Sequence, residues 1–415
     1  MSKERRLAVK GAPHRKKMKR QKTNIKLFRT VSASRFPFGI SVLIFTFFLT
    51  AVLLISGLGT AKIALISAGL AMPEGGICFA EKLLLPAEST DNEPESTGSV
   101  SASAKGSAAP GDSNTGGENA EEKTEDITKT PADIAALIAK CTVDYANDKK
   151  DGNIVETTYG KSSATSVFKN VTVKNTTQTK SLNIEKVLKE KVDMKIIDKS
   201  QPTVLIFHTH TSEGYEILDR DFYARGYTGR SNDESRNVVR VGTEIASQLE
   251  QAGYKVIHDK EIHDKKYTGA YAHSRENVEE YLKKYPSIQV VLDVHRDAIH
   301  LDNGNKIKPV AEINGKKAAQ IMIITGAEEG KVTNFPDWEY NLRFALKLQQ
   351  TCEDMYPGLM RPVLFSQRKY NMNLSHCNLL LEMGSDVNTL DEAAYSGRLI
   401  GKALAKLMDE YVTEE

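Results

Sequence analysis

The chain has 415 residues, with 56 basic and 54 acidic side chains and a formal net charge of +2. A surface built throughout for phosphate carries a basic excess, so this balance excludes a protein made wholly for nucleic acid, and no nucleic-acid partner is expected. Length alone would allow two domains, but apolar residues are so unevenly spread that the folded part must be shorter than the chain.

Residues 1–35 are dense in Lys and Arg, with Glu4 as the only acid. The uncharged block FPFGISVLIFTFFLTAVLLISGLG, residues 36–59, follows at once. A membrane-spanning helix needs about 20 apolar residues, and basic residues gather on its cytoplasmic side. The order predicts a single-pass anchor with Met1 in the cytoplasm and everything beyond Lys62 outside. A cleaved signal peptide has an apolar region of about 7–15 residues and a small-residue cleavage site. This block is longer and no clear site follows it, so the anchor is expected to stay uncleaved.

Residues 60–131 are a juxtamembrane segment and a spacer. From Ser89 to Pro131 the chain is almost entirely Ser, Gly, Glu, Asp, Asn, Thr and Ala, which cannot bury enough apolar surface to offset the entropy of ordering. Such a linker reaches roughly 5–6 Å times the square root of its length. It would hold the next domain a few nanometres from the bilayer. No internal repeat is found.

Periodicity returns at Ala132, where ADIAALIAKCTVDYAN has helical spacing, and FKNVTVKNTT reads as a short strand with turn residues. Residues 132–200 are expected to form a small extension of the catalytic region, and residues 201–415 the catalytic domain. There, strand-like runs at 203–207, 254–257, 288–294, 321–325 and 378–381 alternate with helical runs at 238–251, 270–284, 338–355 and 390–411. Alternation of this kind, with continuously apolar strands such as VLIF and LLLEM, predicts an α/β fold: a mostly parallel sheet with helices on both faces. Gly253 is placed to stop one helix, and Thr389 with Glu392 has capping-box spacing for the last.

Four cysteines, Cys78, Cys141, Cys352 and Cys377, show no CxxC spacing and are read as packing residues, although a Cys352–Cys377 bridge is permitted outside the membrane. Ser212 and Ser274 lack a nucleophile elbow, Cys377 beside His376 lacks a nucleophile context, and HEXXH and a glycine-rich phosphate loop are absent. His263, Asp264, His273 and Arg275 could line a groove, though solvated positions explain them as well.

In an open parallel sheet the site lies at the carboxyl ends of the strands. Three strands end in reactive side chains: VLIFHTH in His208 and His210, VVLDVHRD in Asp293, His295, Arg296 and Asp297, and LLLEMG in Glu382. Residues two apart on a strand face the same way, so His208 and His210 are expected to point together, with His295 reaching the same place. Two or three imidazoles around one point suit Zn2+, and Glu382 is placed as the general base. A single strand-end histidine is more often structural; agreement among three strand ends favours a site.

VLIFHTHTSEGY, RNVVRVG, VVLDVHRDAI and LLLEMGSDVNT, with VKNTT before them and a basic, single-span, spacer-bearing N-terminus, resemble the stage II sporulation protein P family of endospore-forming bacteria. The resemblance covers roughly residues 168–411. It implies a peptidoglycan hydrolase with the fold of zinc-dependent N-acetylmuramoyl-L-alanine amidases, with amidase and endopeptidase activity during engulfment at the forespore septum and engulfing membrane. It also implies two partners, stage II sporulation proteins D and M. Carried onto this chain, the family pattern places a metal-binding His at His295 and the catalytic Glu at Glu382. The first His falls on His208 or His210. The middle ligand falls on Glu234, with Glu213 or the second His as alternatives. Arg296 is assigned to orienting Glu382 or holding a substrate carboxylate, as an arginine fork can.

Overall fold

The computed structural model describes residues 126–413. The basic segment, the expected anchor and most of the linker lie outside the described residues, and among these no helix is long and apolar enough to cross a membrane. In chain order the elements begin with α1 (Ala132–Asp144), β1 (Lys150–Thr157), β2 (Ser166–Phe168), β3 (Val171–Asn175), α2 (Ile184–Lys189), β4 (Pro202–Phe207), β5 (Phe222–Ala224) and α3 (Val238–Gln251). They continue with β6 (Lys255–His258), α4 (Ala270–Lys284), β7 (Val290–Asp297), β8 (Lys306–Ile313), β9 (Lys316–Ala319) and β10 (Ile321–Gly326). The last are α5 (Trp338–Met355), β11 (Val363–Ser366), β12 (Asn378–Ser385) and α6 (Leu390–Asp409).

The strands form an eight-stranded sheet in the order β2-β3-β11-β10-β12-β7-β4-β6 and a four-stranded sheet in the order β5-β1-β8-β9. Both are mixed. The expectation of a mostly parallel sheet is corrected, because β10 runs antiparallel to β12, β2 to β3, β5 to β1 and β9 to β8. Two of these are tight reversals that no helical crossover precedes, and antiparallel neighbours can be joined by such short turns. The β8–β9 hairpin turns through Asn314 and Gly315 at φ 50° and 75°, the positive pair that an Asn-Gly turn supplies.

Residues 132–200 are built into both sheets rather than appended to one: β1 pairs with β8, and β3 pairs with β11. A β2–β3 reversal through Lys169, at φ 55°, interrupts what the sequence suggests is one strand.

The sequence-predicted helices at 238–251, 270–284 and 338–355 match α3, α4 and α5, and the last helix ends at Asp409. In α3, Val238, Val241, Ile245 and Leu249 recur at helical spacing and are buried, and the Asn237 side chain accepts the Val239 amide at 2.9 Å as its cap. The capping box of α6 forms as its spacing predicts: Thr389 accepts the Glu392 amide at 3.1 Å, and Glu392 accepts the Thr389 amide at 3.0 Å.

Alternation along the central strands separates two cores. Val204 and Ile206 of β4, and Val290, Leu292 and Val294 of β7, join the larger core with α3, α5 and α6. Leu205, Phe207 and Val291 face the other way, against Val278 of α4. Cys141, Cys352 and Cys377 are buried and free, so no Cys352–Cys377 bridge is present.

Candidate active site

Alternation fixes which residues face α4 beyond the apolar layer. On β7 the parity of Val291 continues through Asp293 to His295, and on β12 the neighbouring register brings Glu382 opposite His295. The carboxyl end of this face is therefore polar on two adjacent strands.

β4 behaves differently from the sequence expectation. Its ladder stops at Phe207, and His208 keeps the parity of Val204 and Ile206, toward α3. There its Nδ1 donates to the Val294 carbonyl at 2.8 Å, which leaves Nε2 to accept from His258 Nε2 at 2.9 Å. Burial, then repulsion between the rings, pulls His258 down to about 2, and burial pulls His208 to about 4, so both imidazoles stay neutral. His208 is thus a packing residue of the opposite face, which corrects its placement as a ligand beside His210.

His210 lies past the strand, in a turn closed by the Glu213 amide donating to the His210 carbonyl at 3.0 Å. The turn breaks the two-residue alternation and carries His210 onto the α4 side. Its ring lies 5.5 Å from the His295 ring in a T-shaped arrangement and stacks on Tyr267 at 4.6 Å. The same turn delivers Glu213, whose Oε2 is 3.3 Å from His295 Nδ1 and accepts the Arg296 amide at 3.1 Å. His210, Glu213, His295 and Glu382 therefore meet on one face.

Two other assignments do not reach this point. Glu234 is exposed, 3.9 Å from Lys260, because it sits in the polar loop before α3. Arg296 follows His295 on β7 with the opposite parity, that of Leu292 and Val294, so its side chain leaves the strand away from Glu382. It donates to the carbonyls of Gly214 at 3.1 Å and Gly229 at 2.7 Å. Its work is to pin the loop that carries Glu213.

Around the four residues, Asp293 accepts the Thr209 amide at 2.9 Å and its hydroxyl at 2.7 Å, tying the end of β4 to β7. Its Oδ1 is 2.8 Å from His295 Nε2, but off the line of a ring N–H bond, so Nε2 has no hydrogen-bond partner. Asp264 accepts from Ser212 at 2.5 Å and Arg230 at 2.9 Å and lies 4.0 Å from His210 Nδ1. Tyr271 stacks over His295 and Tyr370. Arg230, Tyr267 and Tyr271 carry no strand-end signal in the sequence; their loop and helix are brought here only by the tertiary fold.

Charge is divided unevenly. Burial opposes ionisation of Glu213, but contact with His295 and the charge of Arg296 hold its carboxyl well below the usual range. Burial likewise opposes protonation of His295, yet Asp293 and Glu213 raise it well above an ordinary imidazole. Glu382 goes the other way: burial, then the nearby Asp297 carboxylate, pushes it up to about 8.

Three buried atoms here have no hydrogen-bond partner: His210 Nδ1, His295 Nε2 and Glu382 Oε2. Unpaired buried polar atoms are costly, and while Asp293 stands 2.8 Å from His295 Nε2, His210 Nδ1 and Glu382 Oε2 have no such close neighbour, which fits a site that holds a further group. Two imidazoles and a carboxylate are a donor set that zinc accepts. Among the described residues, the group whose three ligand atoms lie within 4.8 Å of one another is elsewhere: Glu156, Asp219 and Glu392. That group already surrounds a cation, the Lys308 ammonium, at 3.1, 2.5 and 2.9 Å. It reads as an ion-pair cluster around a buried ammonium, with Glu156 and Asp219 exposed and Glu392 buried, rather than a metal centre.

Fold and site together define an α/β protein whose imidazoles and carboxylates converge at the carboxyl end of a mixed sheet, where such sheets place their ligands. The chain belongs to the stage II sporulation protein P family, whose match covers residues 117–405. It is 31% identical over 204 residues to stage II sporulation protein P of Bacillus subtilis (strain 168), a match that takes in 46% of this chain and 47% of that relative. The chain thus spans about half the length of the curated relative it matches.

Among solved structures it is similar to the CwlD amidase from Clostridioides difficile in complex with the GerS lipoprotein, at 10% identity and TM-score 0.33, over 50% of this chain and 99% of that one. The N-acetylmuramoyl-L-alanine amidase AmiC2 of Nostoc punctiforme matches at 14% identity and TM-score 0.29, over 50% and 96%. The catalytic domain of CwlV, an N-acetylmuramoyl-L-alanine amidase from Bacillus (Paenibacillus) polymyxa var. colistinus, matches at 12% and 0.28, over 50% and 97%.

Proposed function

We propose that this protein is a zinc-dependent N-acetylmuramoyl-L-alanine amidase that cuts the stem peptide from peptidoglycan, with endopeptidase action on cross-links, during engulfment in endospore formation. The observation that carries the reading is Glu382, held in register beside His295 with an enclosed, unpaired Oε2 and His210 and Glu213 on the same face. Membership of the stage II sporulation protein P family supports the developmental setting.

His210, Glu213 and His295 would hold the zinc ion. Zinc would supply Lewis acidity toward the scissile carbonyl and lower the pKa of water. The remaining work belongs to the chain. Glu382, pushed up to about 8, is tuned to exchange a proton near neutral pH. It would take the proton of the attacking water as the oxygen bonds to the carbonyl carbon, then pass it to the amine as the C–N bond breaks. Asp293 fixes the β4 turn against β7 through Thr209, and Arg296 fixes the Glu213 loop through two carbonyls.

The basic, apolar order of residues 1–59 supports a single-pass anchor that places this domain outside the cell membrane. Tethering suits an immobile polymer, because a high local concentration replaces diffusion. Stage II sporulation proteins D and M are the proposed partners. The test is to incubate the protein with zinc and purified sacculi and identify the fragments by mass spectrometry. Free stem peptides, absent with Glu382→Gln, are expected; sacculus binding without release at any zinc level would make the site a binding module.

A further inference from the structure

The proposed zinc ligands are not all held in the same way. His295 sits in the β7–β12 ladder and has a carboxylate oxygen near each ring nitrogen, Glu213 at 3.3 Å and Asp293 at 2.8 Å. Glu213 is anchored by the Arg296 amide at 3.1 Å. His210 has neither support. It lies beyond the end of β4, and its Nδ1 has no hydrogen-bond partner. Asp264 stands off from that nitrogen at 4.0 Å and is already engaged by the Ser212 amide at 3.1 Å and by Arg230 at 2.9 Å. A metal-binding imidazole is ordinarily oriented by a hydrogen bond at its other ring nitrogen, and the χ2 torsion of a histidine is broad. What fixes the His210 ring must therefore be what it packs against.

Three rings surround it. Tyr267 lies flat against it, with 4.6 Å between centroids and 7° between planes. Tyr271 and His295 meet it edge to face, each at 5.5 Å, with 86° and 81° between planes. Stacked and perpendicular contacts both favour a defined orientation, so together they leave the plane of His210 little freedom. Tyr271 belongs to α4 and His295 to β7, which the fold needs in any case. Tyr267 precedes α4 and is 57% exposed, so burial in a core does not explain its place. Arg230 lies over the Tyr267 ring at 5.4 Å and is itself held by Asp264 at 2.9 Å and Ser212 Oγ at 2.8 Å. Ser212 is two residues beyond His210, so this clamp closes back on the turn that carries the ligand.

We infer that Tyr267 is a positioning residue for the metal centre: its ring, steadied by Arg230, holds the His210 imidazole in place where a hydrogen bond would ordinarily do so. The inference rests on the proposed zinc reading of the site. It adds to that reading an exposed side chain that is not itself a ligand and on which zinc affinity depends.

The test measures the zinc affinity of the full chain by competition with a chromophoric chelator, for the wild type, Tyr267→Ala and Tyr267→Phe, beside denaturant unfolding of the metal-free forms. Tyr267→Ala is expected to weaken zinc binding about tenfold or more, the scale of losing a group that orients a ligand. Its metal-free midpoint should stay close to that of the wild type, as for other exposed positions. Tyr267→Phe should bind zinc within about twofold of the wild type, because the ring and not the hydroxyl makes the stack. Wild-type affinity in Tyr267→Ala would overturn the inference. So would a phenylalanine variant as weak as the alanine one, which would assign the effect to the hydroxyl, or a metal-free midpoint lowered along with the affinity, which would make the ring a structural residue. A wild-type chain that binds no zinc removes the zinc reading and the inference with it, whereas equal zinc binding by the wild type and Tyr267→Ala removes the positioning role alone.

Discussion

His208 and His210 show how far a single residue's role depends on where its strand stops. Two residues apart, they would share a face on an extended chain, but β4 ends at Phe207 and the turn sends them to opposite sides. Replacing His210, Glu213 or His295 with Ala is therefore expected to abolish zinc binding, measured as metal per chain after dialysis. His208→Ala and Glu234→Ala should keep the metal, and loss of metal from Glu234→Ala would redraw the ligand set. Glu382→Gln should retain zinc while stem-peptide release falls by about a hundredfold or more, the scale of general acid–base catalysis. His295 and Glu382 were legible as strand ends because parity holds inside a ladder. Glu213 was legible only as an alternative, because a turn follows no period.

At the scale of elements, α3 lies close over the ends of β4 and β6 at Gly242. A Cβ there would fall 2.7 Å from His258 Nε2 and 2.8 Å from His208 Nε2. Neither ring can swing clear, since His208 is fixed by the Val294 carbonyl and His258 by His208. In an isolated helix Gly→Ala gains about 1 kcal/mol, whereas overpacking costs about 1–3 kcal/mol. Gly242→Ala is thus expected to lower stability on balance, read as a lower denaturant midpoint with an unchanged slope; a raised midpoint would mean the helix simply shifts. The helices themselves were legible, since α3, α4 and α5 keep the bounds that periodicity predicts. The strands β1, β8, β9 and β11 were not picked out, although the Asn314-Gly315 pair was an available hairpin signal. β9 and β11 are four residues long, and β1 with β8 and β11 with β3 pair across distant parts of the chain.

For the molecule as a whole, Lys308 joins the four-stranded sheet to α6 through Glu156, Asp219 and Glu392. Lys308 and Glu392 are 1% and 5% exposed, so removing the cation leaves a buried carboxylate unpaired. Lys308→Met is expected to cost about 3–5 kcal/mol at pH 7, measured by denaturant unfolding. Burial favours the neutral acids, but Lys308 and Lys317 outweigh it and hold Glu156 and Asp219 below the usual carboxylate range. Carboxylates depressed in the folded state contribute stability above their unfolded values near pH 4, and that contribution is lost as pH falls through the folded ones. The wild-type chain should therefore lose stability below about pH 4, and Lys308→Met should show a flatter acid limb. An acid limb unchanged in the variant would show that other carboxylates govern it.

The sequence by itself determined the α/β class, the longer helices, the capping of α6 and the placement of His295 and Glu382 at neighbouring strand ends. These depend on periodicity, side-chain chemistry and short spacings, all local to a segment. Only the tertiary structure decided that the sheets are mixed, that His210 rather than His208 joins His295, that Glu213 rather than Glu234 stands beside it, and that Arg296 pins a loop. Each of those outcomes depends on which way a chain leaves a strand and on what packs against it from far along the sequence. No local pattern encodes that.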